Sequence, residues 1–437
     1  MKKFVVLVFL LLGLQIILFG QKAPSGFTSG TPEDAGMSSL RLQMASELID
    51  QYIEEGKLPG GVFLVARYGQ VVLFKSAGSR TNTKKVPYRD DDIFRIASMT
   101  KAVTTVAIMQ LYEDGKIGLD DPVHKYLKAF DKQSVLDKFN EKDSTWTTIP
   151  VLSPVTIRQL LTHTSGITYG EFNPGKIMAV YMKNNVLGGG LNHPNWTSEE
   201  FIDRLGRTPL VFQPGERYMY GLNMDVLGRI IEVVSGQKLE DYFRQNIFEP
   251  LGMNDTWFYL PEEKHDRLVP AYTINQEGTF YIVEEGSAVG TEINYPLMDR
   301  RDFYAGGGGL VSTATDYARF IQALANFGTF NGQRILSRKT IDMMTSDQMI
   351  RLNEQGKGMS NRPGVTMCLG FSLLKPEANG INSKSPGTYE WSGYFNTRFF
   401  IDPHEQLIFS GMTQVAPFPH NEFWDRLFAI IYSAIED

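Results

Sequence analysis

Three short stretches carry residue types that together can run acyl transfer. The first is Phe94-Arg95-Ile96-Ala97-Ser98-Met99-Thr100-Lys101, which reads Ser-x-x-Lys at the mouth of an apolar run reaching about Asp114. Residues three apart on a helix share a face one turn apart. Ser98 and Lys101 therefore stand side by side if the helix begins at or just before Ser98. A serine hydroxyl is a weak nucleophile until a base takes its proton. Apolar surroundings disfavour the charge of a lysine, and no acid lies within one helical turn of Lys101 in the sequence. The amides of a helix N-terminus would meet the negative charge that develops on an attacked carbonyl oxygen. The same spacing recurs at Ser235-Gly236-Gln237-Lys238 in a turn-like context. Spacing alone thus identifies no site; the buried helix start is what favours Ser98.

The second stretch is Pro214-Gly215-Glu216-Arg217-Tyr218-Met219-Tyr220, just before a helix that opens near Asp225. Tyr220 lies on a loop, where a polar group can face a cleft. A cationic Lys101 beside it would favour its phenolate, which could shuttle protons to and from Ser98. A packed core tyrosine fits the same pattern. The third stretch is Glu390-Trp391-Ser392-Gly393-Tyr394, between two strands. A glycine such as Gly393 lets backbone approach a substrate closely. A backbone N–H just after it could complete an oxyanion hole with the N–H of Ser98. An ordinary strand turn with a core tryptophan is the competing expectation.

Two other motifs invite chemistry and are set aside. Gly306-Gly307-Gly308-Gly309 has no Lys-Ser/Thr after it and no strand–helix context, so it is no phosphate loop; close packing under the active site is expected. His163, in Thr162-His163-Thr164-Ser165-Gly166, has no Gly-x-Ser-x-Gly elbow to partner it. A histidine bonding nearby backbone at a helix end is expected there.

The elements that must hold these residues follow from periodicity. Residues 38–56 have helical spacing and end near Gly56. Gly61–Arg67 and Gln70–Lys75 read as a hairpin across Tyr68-Gly69. The middle reads as mostly helical: 156–164, 199–205, 225–235 and 239–248, with a Gly/Asn-rich loop at 184–196. Strand-like pieces fall in 263–300, a helix at 314–326, and a polar loop at 346–366. Strands return at Cys368–Leu374, Thr388–Trp391, Arg398–Asp402 and Gln406–Thr413, and a helix at Asn421–Ile435 closes the chain. Strands at both ends around a helical middle imply an α+β fold: an antiparallel sheet covered by the terminal helices, with an α-rich insertion. The expected division is an α/β sandwich from 21–118 with 300–437, and a mainly helical domain at 119–299.

Composition narrows the class further. The 437 residues carry a formal charge of −6, so nucleic acid is not an expected partner. A single cysteine, Cys368, excludes a disulfide within the chain and reads as a small buried residue. The six histidines are scattered, so neither a metal site nor a cofactor is expected. Lys2 and Lys3 precede an apolar run from Phe4 to Phe19. This reads as a secretory signal peptide over 1–20, making the mature protein periplasmic or secreted, with membrane contact only if the segment is uncleaved.

The ordered set of motifs resembles the serine β-lactamase and penicillin-binding-protein superfamily, nearest its class C-like esterases and DD-peptidases. The marks are Ser98-Met99-Thr100-Lys101, Leu119-Asp120-Asp121-Pro122-Val123, the run Thr156–Gly166, Pro214-Gly215, Asp225-Val226-Leu227-Gly228, Pro250-Leu251-Gly252-Met253 and Gly306–Asp316. The resemblance implies Ser98 as acylated nucleophile, Lys101 as its proton partner and Tyr220 as general base. It also implies an oxyanion hole from the N–H groups of Ser98 and Tyr394. Substrate would contact Trp391, Ser392, Gly393 and Leu222. This chain departs from the family twice: Leu222 replaces the Asn of Tyr-x-Asn, with Asn223 one place late, and Trp391 replaces the Lys of Lys-Thr-Gly. Trp391 offers an apolar face and one N–H but no charge. A substrate carboxylate thus loses a charge-assisted bond of about 1.5–3 kcal/mol, roughly tenfold to a hundredfold in affinity. Esterases similar to this chain carry Trp-x-Gly at this place. Small esters are therefore the expected substrates, ahead of β-lactams or D-peptides. A penicillin-binding sensor that acylates without turnover is the third possibility.

Overall fold

Strict alternation along the terminal strands builds a sheet that is buried on both faces. In β1 (Gly60–Arg67), Val62, Leu64 and Ala66 enter one core while Phe63 and Val65 enter another, as a side-chain period of two requires. In the computed structural model, which describes residues 23–81, 86–189, 196–283, 295–297, 302–359, 364–380 and 382–437, this sheet has seven antiparallel strands. The others are β2 (Gln70–Gly78), β3 (Val365–Met367), β4 (Ser372–Leu374), β5 (Tyr389–Ser392), β6 (Arg398–Asp402) and β7 (Leu407–Met412). The order is β3-β4-β5-β6-β7-β1-β2. Pairing of Val62 with Met412 and Leu64 with Ser410 joins the two ends of the chain.

Helices cover both faces. α1 (Ser39–Glu54) and the C-terminal helix Glu422–Ser433 close one, packing Leu42, Ile49, Trp424 and Leu427 on Phe63, Phe400 and Phe409. The other face meets the larger core, with α2 (Thr100–Glu113) and, later in the chain, the helix Ala314–Ala325. α2 is buried on every side, including Lys101 at 1 % exposure. Val103, Val106, Ile108, Met109 and Leu111 each contribute about 1.5–3 kcal/mol by burial. Together they offset the several kcal/mol that a buried ammonium costs. Gly115, at φ +69°, ends the helix. The α+β architecture is the expected one.

Three local expectations need correction. Cys368–Leu374 is not one strand: the chain reverses at Gly370 (φ +78°), between β3 and β4. The run is apolar because the turn itself is buried, with Cys368, Leu369 and Phe371 at 0 % exposure. The middle of the chain contains a hairpin, Ser134–Asn140 with Thr145–Pro150. Its largely exposed residues give no periodic signal for burial. The expected polar loop at 346–366 holds a short helix, Ile350–Glu354. The signal segment at 1–20 lies outside the described residues, as do 190–195 of the Gly/Asn-rich loop and most of 284–301.

Candidate active site

Ser98 is set by an unusual backbone. Ala97 adopts φ +43°, a left-handed conformation uncommon outside glycine. Ser98 follows on a single 3-10 turn, Ala97–Met99, which runs into α2. Strain of this kind persists only where the surroundings fix it. Here Tyr317 Oη donates to Met99 O at 2.9 Å, and Ile96 N and Leu310 N bond to Leu310 O and Thr100 Oγ1.

Lys101 Nζ lies 3.0 Å from Ser98 Oγ, and Tyr220 Oη donates to Ser98 Oγ at 2.7 Å. Lys101 Nζ also meets Tyr169 Oη at 3.2 Å and Gly307 O at 2.5 Å. Three acceptors match the three N–H donors of an ammonium. The cation lies 4.8 Å from the Tyr220 ring centroid. The structure thus brings Lys101 and Tyr220 each within hydrogen-bond reach of Ser98.

The third stretch closes the opposite wall. A Cβ on Gly393 would stand 2.4 Å from Ile96 O and 2.2 Å from Thr397 Oγ1, so only glycine lets β5 end against the Ser98 turn. Ser98, Trp391, Ser392, Gly393 and Tyr394 all line one cavity of about 700 Å³. Leu222, 1 % exposed at the start of the helix Asn223–Ser235, lines it too. The Trp391 ring lies 5.8 Å from that of Tyr220. Asn223 does not stand in for the missing asparagine. It is fully buried, with Nδ2 on His163 Nδ1 (2.8 Å) and Ile167 O (3.3 Å), and its Oδ1 accepts from Ser165 Oγ.

His163 departs from expectation. Its ring bonds the Asn223 side chain rather than backbone and packs among Tyr218, Tyr220 and Trp391. Burial, then the Lys101 charge, depresses its pKa well below the ordinary value, so it is neutral at neutral pH. It stands behind Tyr220 and makes no contact with Ser98 among the bonds observed.

Two polar side chains of the site escaped the sequence reasoning. Tyr169, three residues after Gly166, touches Lys101, and burial raises its phenol well above the usual range. Asp225 is 6 % exposed in the first turn of the helix Asn223–Ser235. Burial pushes its carboxyl up to about 6 against the opposing pull of Lys101. An acid five places after Tyr220, in the apolar first turns of the helix, was the available signal. The glycine run 306–309 packs closely as expected: a Cβ on Gly306 would stand 2.6 Å from Met224 O, and one on Gly307 2.5 Å from Asp225 Oδ2.

A serine held between a lysine and a phenol on the wall of a cleft is the site of a serine hydrolase. The chain matches the family described as Beta-lactamase over residues 45–430 and belongs to it. It is 29% identical over 378 residues to Esterase EstB of Burkholderia gladioli, covering 84% of this chain and 88% of that protein. Lovastatin esterase of Penicillium rubens is 33% identical over 285 residues, 63% of this chain and 67% of that one. Among solved structures, EstCE1, a hydrolase with promiscuous acyltransferase activity, superposes with TM-score 0.77 at 25% identity. That match covers 90% of this chain and 99% of EstCE1.

Proposed function

We propose that this serine hydrolase cleaves small carboxylic esters outside the cytoplasm. Tyr220, as phenolate beside the Lys101 ammonium, takes the proton of Ser98 as Oγ attacks the ester carbonyl. The carbonyl oxygen becomes an oxyanion between the N–H groups of Ser98 and Tyr394. Collapse breaks the C–O bond, the Tyr220 proton passes to the leaving alkoxide, and the acyl group stays on Ser98. Water then repeats the sequence, with Tyr220 as base, to release the acid.

The observation that carries the ester assignment is Trp391. It forms an aromatic wall beside Tyr220 where a carboxylate-binding lysine would serve β-lactams or peptides. The nearby lysine on the cavity wall, Lys384, is paired with Glu390. The esterase names of two relatives support the same reading. Turnover of short-chain p-nitrophenyl esters, lost in Ser98→Ala, is the expected result. Faster hydrolysis of nitrocefin or release of D-alanine would move the assignment to a β-lactamase or DD-peptidase. A permanent adduct on Ser98 without turnover would make the protein a sensor. The basic-then-apolar pattern at Lys2–Phe19 supports a periplasmic or secreted location; fractionation and N-terminal sequencing of the expressed protein test it.

A further inference from the structure

Asp225 has no part in the scheme above, yet it is a buried acid on the wall of the catalytic cavity. One residue ties it to the proton machinery. Gly307 donates its N–H to Asp225 Oδ1 at 3.2 Å, and its carbonyl accepts from Lys101 Nζ at 2.5 Å. The approach is so close that a Cβ at 307 would stand 2.5 Å from Asp225 Oδ2 and displace the carboxylate. Neither end of this link has another strong partner of the needed sign. Among the described residues, Lys101 has no carboxylate within ion-pair distance, and its other two contacts are hydroxyls. Asp225 accepts a main-chain N–H and is bonded to no arginine or lysine side chain among the observed bonds. The charges that reach it are Lys101 from α2 and Glu171 from the segment after Gly166, with the Tyr169 phenol beside them. The glycine run offers main chain alone.

We infer that Asp225 is a positioning residue: through Gly307 it fixes the Lys101 ammonium against Ser98 and Tyr220 and supplies the counter-charge that keeps it there. The proposal rests on Lys101 and Tyr220 acting as described above. A carboxylate does this only while ionised. Burial raises its pKa to about 6, so the charge is present above that value and lost below it. Asparagine would keep the acceptor for Gly307 and remove the charge at every pH.

The test is the pH profile of kcat/KM on p-nitrophenyl acetate between pH 5 and 8 for wild type, Asp225→Asn and Asp225→Glu, with Ser98→Ala as control. The wild-type profile should fall as pH drops through about 6. Asp225→Asn should lose about tenfold or more in the plateau of kcat/KM, mostly in kcat, and show no limb near pH 6. Asp225→Glu should restore the limb and part of the plateau. A merely structural role would scale the profile down and leave its shape; that result, or an asparagine variant indistinguishable from wild type, overturns the proposal. If the asparagine variant fails to fold, a wild-type profile flat through pH 6 overturns it as well. Activity surviving in Ser98→Ala would instead refute the catalytic reading beneath it.

Discussion

Asp225, in the cleft, and Asp316, at the start of the helix Ala314–Ala325, are both buried carboxylates whose pKa burial pushes up to about 6. Their partners differ. Asp316 accepts from Asp255 N (2.7 Å), Thr256 Oγ1 (3.1 Å) and Arg319 Nη1 (2.9 Å). Asp225 accepts from Gly307 N and faces Lys101 across that glycine. The fully bonded acid ties a loop to a helix. The sparsely bonded one leaves its field directed at the Lys101 amine. A buried acid held by main chain alone, with no charged side chain bonded to it, is thus the one to suspect of function.

Both sides of this contrast can be broken. Tyr220→Phe should have the largest effect, lowering kcat/KM about a hundredfold to ten-thousandfold with little change in stability, as seen by ester kinetics and thermal melting. Asp316→Ala should do the reverse. It removes the shared acceptor of Asp255 N, Thr256 Oγ1 and Arg319, although Arg319 keeps Gly252 O and Ser25 O and Thr256 keeps Ser312 Oγ, so about 1–3 kcal/mol of stability should be lost while activity per folded molecule holds. Chemical denaturation together with active-site titration of Ser98 separates the two.

Asp225→Asn should sharpen the contrast. Its carboxyl is raised from the model-compound value of 3.8 to about 6 in the folded state. Stability from the neutral form is therefore full below about pH 4 and lost as pH rises through about 6. Removing the charge should add about 1–3 kcal/mol at pH 7, with the gain vanishing near pH 4, in denaturation curves taken at both values. Greater stability with poorer turnover is the signature of a functional acid. Trp391→Lys should tighten binding of carboxylate-bearing substrates about tenfold to a hundredfold, read in KM for a β-lactam. Tyr169→Phe, which removes one acceptor from Lys101 and leaves two, should cost only about 1 kcal/mol, or roughly fivefold in kcat/KM.

Much of the sheet was legible because its strands are short apolar, β-rich runs bounded by turn residues: Arg398–Asp402 falls where that reading puts it, and β1, β2, β5 and β7 lie within a few residues. The hairpin at 134–150 was not legible, since exposed strands need no apolar period. The buried turn at 368–371 was misread for the opposite reason, being apolar throughout. At the site, Ser98 and Lys101 could be paired from helical spacing, and the motif order pointed to Tyr220. Tyr169 and Asp225 could not be placed, because they reach Lys101 only through the tertiary fold, one from a loop and the other across Gly307. Nor could the left-handed Ala97, an ordinary residue in a conformation the sequence does not announce.

The most direct test is acid-quenched intact mass spectrometry with peptide mapping during turnover of a slow p-nitrophenyl ester. A transient acyl mass on the peptide containing Ser98, formed at least about a hundredfold more slowly in Tyr220→Phe, is the predicted result. An unmodified Ser98 during full-rate hydrolysis, or acylation at the same rate without the phenol, would contradict it.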